Sequence, residues 1–161
     1  MNGGGPAQPA PPIDRRQSET ANRVAKGVRR MLRHLGYSTV TELSLANGRR
    51  ADIVALASDG SFTIIEVKSS TADFRADMKW PEYRLYCDRL YFAIPDTMSP
   101  ELIPMDVGLM IADGYGAELV REAPEHRLAG AARRALLVRF AQAAADRLHT
   151  LADPEFVWRT G

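Results

Sequence analysis

Asp52, Glu66 and Lys68 are the residues of this chain whose types and spacing point most directly to chemistry. Two carboxylates and an amine, carried on two short apolar runs joined by Ser58, Asp59 and Gly60, are the components of metal-assisted phosphodiester hydrolysis. A hard divalent ion, magnesium or manganese, takes a few carboxylate oxygens, keeps several waters and accepts its remaining ligands from a substrate phosphate. Such an ion acidifies a bound water and neutralises charge building on the phosphate, while a nearby ammonium orients that water or steadies the oxyanion. The plainer reading is a solvated strand end with an ordinary ion pair, because Glu and Lys are common residues. What adds weight is the acid on a neighbouring strand, the apolar run leading into Glu66, and the polar Ser69 and Ser70 directly after Lys68.

These residues need strands to position them. Residues 50–57 and 62–68 are rich in β-branched side chains and bounded by turn residues, so they read as a β-hairpin. Alternation then puts Glu66 and Lys68 on one face with Ile64 and Phe62. Asp52 joins them only in one register. A two-residue Asp59-Gly60 turn sets Asp52 opposite Val67, whereas a three-residue Ser58-Asp59-Gly60 loop with Gly60 left-handed sets it opposite Glu66. The longer loop is preferred here because carboxylates gathered at a strand end repel unless a cation shares them. Upstream, residues 37–43 read as the first strand, and Glu42 reaches Asp52 only if the Ala46-Asn47-Gly48 turn also uses three residues. Asn47-Gly48 favours two, which ranks Glu42 below the trio as an accessory acid.

A basic amphipathic helix precedes the hairpin. Val24, Val28, Met31 and Leu35 fall on one face and Arg23, Lys26, Arg30 and Arg33 opposite, with Ser18 as N-cap and Gly36 as the stop. Residues 20–50 hold seven Lys or Arg against one acid, while residues 51–161 hold twelve against seventeen, so the near-neutral total hides an asymmetry. With Arg50, that helix face suits sequence-independent attraction of a polyanionic backbone; a merely solvated face is the alternative.

After Lys68, Ser69 or Ser70 caps a short helix carrying Phe74, and a second short helix starts around Trp80-Pro81. Phe74 and Trp80 read as core anchors, Tyr83, Tyr86 and Arg84 as available to substrate, and Asp73 and Asp77 as helix-surface partners of Arg75, Lys79 or Arg84 in preference to added acid near the metal. Buried strands follow at 90–94 and 108–112, a short edge strand at 117–120, and a long Ala-rich helix at about 128–151. Ala132, Ala135, Leu136, Val138 and Phe140 are to supply most of that helix's apolar surface. Arg133, Arg134 and Arg139 are either a further phosphate patch or solvated.

With 161 residues and 45% apolar content, the chain suits one α/β domain over 18–151, between a disordered tail at 1–17 and a C-terminal extension at 152–161. No run reaches membrane-spanning length, the tail lacks the apolar core of a secretion signal, and the lone Cys87 cannot make an internal disulfide. The expectation is a cytoplasmic protein without a membrane partner. Cys87 reads as a small buried residue, and His34, His126 and His149 lack zinc-ligand spacing. No glycine-rich phosphate loop precedes a helix, which argues against a nucleotide hydrolase.

An Asp followed by Glu-x-Lys after an amphipathic helix resembles the PD-(D/E)XK nuclease superfamily. More narrowly, residues 49–54, 66–70, 72–77, 79–80 and 86–89 are similar to the bacterial MmcB-type DNA repair family, across roughly 20–147. The resemblance implies a restriction-endonuclease-like mixed sheet flanked by helices and a nuclease-type core acting on DNA. It makes Asp52, Glu66 and Val67 metal ligands for Mg2+ or Mn2+, and Lys68 the catalytic amine. By the same analogy Lys79 and Tyr83, with Ser69, stand near the site. Ala51 occupies the place of the superfamily's Pro, a position that binds no metal. Two functions stay in view: metal-dependent DNA hydrolysis, and a binding scaffold that recruits other repair proteins. Either suits a monomer or a homodimer.

Overall fold

In the computed structural model, which describes residues 15–156, eleven segments build one sheet between two helical layers. Helix α1 spans Arg15–His34, followed by β1 Ser38–Ser44, β2 Arg50–Leu56 and β3 Phe62–Val67. Next come α2 Thr71–Ala76, a 3-10 segment Trp80–Tyr86, β4 Arg89–Ile94, a short 3-10 turn Pro100–Leu102, β5 Gly108–Ala112, β6 Ala117–Arg121 and α3 Gly130–Ala152. The six strands lie in sequence order. β3–β4 and β4–β5 are parallel and the other three pairings antiparallel, so the sheet is mixed, as the family resemblance implies.

The two faces bury different rows. Val24, Val28 and Leu32 of α1 cover Ile53, Ala55, Ile65, Tyr91, Ala93 and Met110. On the other face Val40, Val54, Phe62, Ile64, Phe92 and Leu109 meet Tyr83 of the 3-10 segment and Leu136 and Phe140 of α3. Phe74 and Trp80 both pack edge-on against Phe92 with ring centroids 5.3 Å apart, the core role expected of them. Cys87 is buried.

Several expectations about the helices are corrected. The α1 stripe repeats every four residues through Leu32, so Met31 is only partly buried and Leu35 is 61% exposed. Gly27 explains this rotation: a Cβ there would lie 2.0 Å from the Asp113 carbonyl oxygen, so the helix backbone sits directly on the β5–β6 turn. The helix starts at Arg15, so Ser18 lies inside it and Arg15–Gln17 are helical; the rest of the expected tail, 1–14, lies outside the described residues. In α3, Ala132, Ala135 and Val138 are exposed, and Ala143 and Ala144 complete the contact of Leu136 and Phe140. Of the expected C-terminal extension, Ala152 ends α3 and 157–161 lie outside the described residues.

Both hairpins use three-residue loops. Ala57 N–H donates to Ser61 O at 3.0 Å and Gly60 takes φ +87°, a left-handed value that glycine adopts without steric cost. The β1–β2 loop does the same, against the two-residue preference of Asn47-Gly48. Leu45 N–H donates to Arg49 O at 2.7 Å and Gly48 takes φ +82°. An Asx turn supports it, with Asn47 Oδ1 accepting from Arg49 N–H at 3.0 Å.

Candidate functional site

The β2–β3 register continues from Ile53 opposite Ile65 to set Asp52 against Glu66, as the three-residue loop demands. Backbone pairing stops there, and carboxylates take over. Glu66 Oε1 accepts from Asp52 N–H at 3.0 Å, and Asp52 Oδ2 accepts from Val67 N–H at 2.8 Å. Each acid therefore accepts from a backbone N–H of the opposite strand, and the strands are latched through their side chains.

The β1–β2 register, Thr41 opposite Ile53 and Leu43 opposite Ala51, sets Glu42 opposite Asp52. Glu42 is the one described non-glycine residue with positive φ, +49°. Alternation slips at this level: Val40 and Leu43, three apart, bury in the same core, and so do Ala51 and Val54. The slip has a consequence for the expected trio. Glu66 continues the Phe62–Ile64 row on the α2 side, while Asp52 turns toward α1, so the acids meet edge-on through the splayed strand ends instead of sharing one face.

Glu66 is 3% exposed and Lys68 6%. Burial, then the charge of Asp52, pushes the Glu66 carboxyl well above the usual carboxylate range. Asp52 is also raised, again by burial first. Lys68 Nζ donates to Asp77 Oδ2 at 2.8 Å, and Asp77 Oδ1 accepts from Lys79 N–H at 3.0 Å. Asp77 is thus a half-buried partner of Lys68, not a helix-surface partner of Arg75, Lys79 or Arg84. Asp73 and Ser70 cap α2 reciprocally: Ser70 Oγ accepts from Asp73 N–H and Asp73 Oδ2 from Ser69 N–H, both at 3.1 Å. Ser69 therefore enters the site region through its backbone.

A cleft of about 860 Å³ opens between α1 and the β1–β2 end of the sheet. Asp52, Val67 and Glu42 line it on the sheet side; Asn22, Lys26, Arg29, Arg30 and Arg33 line it on the helix side. Three of the expected helix cations are thus brought to the acids. Arg23 is not, and packs beside Gly114 with Asp96 and Asp113 nearby. Arg29 was missing from the expected set although it follows Lys26 by three and shares its stripe; its Nε donates to Thr39 Oγ1 at 3.2 Å. Arg50 is exposed at the start of β2, away from the cleft lining, and its carbonyl accepts from the Tyr83 hydroxyl at 3.0 Å. Tyr83 is a buried core residue, its pKa pushed up to about 12 by burial and the Glu66 and Asp52 charges, so the expectation that it reaches substrate fails. Lys79 is exposed beside the Lys68–Asp77 pair.

A second buried acid lies at the opposite end of β3. Asp88 is 3% exposed and accepts from Phe62 N–H at 2.7 Å, Leu128 N–H at 2.8 Å and both terminal nitrogens of Arg133 at 2.7 and 2.8 Å. Those donors hold it down to about 2, overcoming its desolvation. Arg133 is therefore structural, which removes it from the expected choice between phosphate patch and solvated surface.

Fold and site together define a single-domain α/β protein in which an acid pair, one member buried and one half-buried, meets a basic cleft at one end of a mixed sheet. The sequence matches the family described as DNA repair protein MmcB-like over residues 8–155, and the chain belongs to that family, which places it in DNA repair. It is also similar to a solved structure, the SPO1766 protein of unknown function from Silicibacter pomeroyi. The two are 45% identical with a TM-score of 0.85, over 88% of this chain and 97% of that one. No curated protein matches. Among the described residues no helix is long and apolar enough to cross a membrane.

Proposed function

We propose that this chain is a cytoplasmic, metal-dependent DNA endonuclease with a restriction-endonuclease-like core of the PD-(D/E)XK type. The observation that carries the reading is the meeting of Asp52, half-buried, and Glu66, buried, beside Lys68 and at the edge of a cleft walled by cations.

The donor set fits a hard cation. Among the described residues no group of three or more His, Cys, Asp and Glu side chains could hold a metal, so a soft or fully protein-ligated ion is a poor match. Two carboxylates and the Val67 carbonyl suit Mg2+ or Mn2+, which leave their other positions to water and phosphate. When bound, such an ion supplies an acidified water and charge neutralisation at the scissile phosphate. Two raised carboxyls side by side are what a shared cation relieves. Asp77 fixes Lys68 Nζ on the Glu66 side, where the ammonium stands ready to steady developing negative charge. Lys26, Arg29, Arg30 and Arg33 draw the DNA backbone along the helix wall.

One observation favours a second reading, a DNA-binding scaffold that recruits other repair proteins. Asp52 and Glu66 each bond a backbone N–H of the opposite strand, and Lys68 is held by Asp77, so the trio also works as a latch between strands. The test is incubation of labelled single-stranded, duplex, flap and branched DNA with Mg2+ or Mn2+, beside Asp52→Ala and Lys68→Ala. A loss of about 100-fold or more in both variants supports the enzyme, on the scale of removing a transition-state donor. DNA binding without cutting in all three proteins selects the scaffold.

A further inference from the structure

We propose that the α1 cleft takes a single, unpaired DNA strand by its phosphates and leaves the bases unread; this rests on the reading of the cleft as the DNA site.

The charge in this cleft is one-sided. Lys26, Arg29, Arg30 and Arg33 follow one helix stripe about 10 Å long, at ~1.5 Å per residue. None of the four takes part in an ion pair among the described residues, whereas Arg49, Arg84, Arg89 and Arg133 are each bonded to an acid. The facing wall offers Thr39 and Thr41 hydroxyls and the Glu42 and Asp52 carboxylates. Duplex DNA presents two phosphate rows flanking each groove, and in this cleft the second row meets Glu42. A lone strand has one row, which the helix wall neutralises.

Glu42 is held in place for that role. Its φ of +49° is costly for a residue with a side chain, and Arg147 of α3 donates to the carbonyls of Thr41 and Glu42, fixing this strained backbone from behind. Arg139 likewise donates to Ser44 O at 3.4 Å, so both α3 guanidiniums beyond β1 are engaged with backbone. Stiffness adds to the discrimination, because duplex DNA has a persistence length of about 50 nm and does not bend into a short cleft at low cost. Among the described residues the cleft lining includes no Phe, Tyr or Trp, and so no stacking platform of the kind on which single-strand binders seat bases. Contacts are then to phosphates, and sequence has little effect.

The test is fluorescence anisotropy of the full chain with labelled dT12, mixed-sequence 12-mers, a 12-base-pair duplex and rU12, in calcium at several salt concentrations. The same DNAs are then assayed for cutting in Mn2+. We expect dT12 and the mixed 12-mers to bind alike and at least 10-fold tighter than duplex. The slope of log affinity against log salt should be about −3, at ~0.7 per neutralised phosphate on single strands. Lys26→Ala and Arg30→Ala each weaken dT12 several-fold and flatten that slope, while Glu42→Gln narrows the gap to duplex. Duplex binding as tight as dT12, rU12 binding tighter than dT12, or a slope unmoved by the helix variants overturns the inference. Cutting of duplex and single strands alike overturns it while leaving the nuclease reading intact. Single-strand preference with no cutting of any DNA upholds it and ends the nuclease reading.

Discussion

The two ends of β3 each bury carboxylates, and they do so on opposite terms. At the Phe62 end one acid, Asp88, meets two backbone N–H groups and a bidentate Arg133, and its pKa falls to about 2. At the Val67 end two acids meet each other, each with one backbone N–H, and both are raised. The first arrangement is a fastener: it ties β3, β4 and the entry to α3 with every lone pair used. The second packs two carboxyls against each other under a cleft, an arrangement that costs stability as they ionise and is retained where a cation or substrate completes it. Burial alone therefore says little about a carboxylate's role. What it faces decides.

The largest effect separating the ends is on stability. Asp88→Ala leaves Phe62 N–H, Leu128 N–H and the Arg133 guanidinium without their acceptor, and breaking a buried pair costs about 3–5 kcal/mol. At ~2–4 °C per kcal/mol for a domain of this size, thermal unfolding should move down by roughly 10 °C. The pH dependence has a definite sign. Asp88's folded pKa lies below its unfolded value of ~3.9, so its contribution is present above that value and is lost as pH falls from about 4 to about 2. Asp88→Asn should unfold at a temperature that changes less across that window. An Asp88→Ala protein as stable as the parent would dissolve the contrast.

At the other end the sign reverses. Glu66 binds its proton more tightly folded than unfolded, so the folded state loses stability as pH rises above the ordinary carboxylate range. Glu66→Gln should therefore raise the unfolding temperature by a few degrees at pH 7–8, on the order of 1 kcal/mol, and gain less at pH 5, while abolishing cutting. Differential scanning calorimetry at the two pH values measures this. A parallel arm adds Mn2+: the parent should gain roughly 2–4 °C at an ion concentration well above Kd, and Asp52→Asn should gain nothing. Equal gains in both proteins would place the ion elsewhere.

What was legible in the sequence follows the range of the forces involved. Hairpin pairing is local, so the strand pattern and turn residues narrow Asp52 to two registers, and the gathering of carboxylates, not the turn, selects the one opposite Glu66. The helix stripe is local too, which is why Lys26, Arg30 and Arg33 were readable and why Arg29, one step along the same stripe, was there to be found. Asp88–Arg133 joins residues 45 apart, and Lys68–Asp77 depends on how α2 ends; neither leaves a periodic trace. Tyr83 looked open to substrate because a short helix after Pro81 says nothing about which side the sheet covers. The place of Glu42 opposite Asp52 and its strained backbone were hidden because Asn47-Gly48 advertises a shorter turn than the one Gly48 makes, and because an acid with positive φ has no sequence signature.

The smallest expected effect tests whether loop length, not loop stability, sets the acid pair. Gly60 has φ +87° and open space around its Cβ position, so Gly60→Ala meets no neighbour and carries only the conformational penalty, about 1 kcal/mol. That variant should melt roughly 2–4 °C lower and cut DNA at the parent's rate, because Ala57 still pairs with Ser61 and Asp52 still faces Glu66. Removing Ser61 is the complementary change. With the three-residue Ser58-Asp59-Gly60 loop kept, Ala57 pairs with Phe62 and Asp52 falls opposite Val67, so metal-dependent cutting should vanish even in protein that remains folded by circular dichroism. If Gly60→Ala lost activity out of proportion to its small stability change, or the slipped register kept it, the pairing of Asp52 with Glu66 would not be what the chemistry depends on.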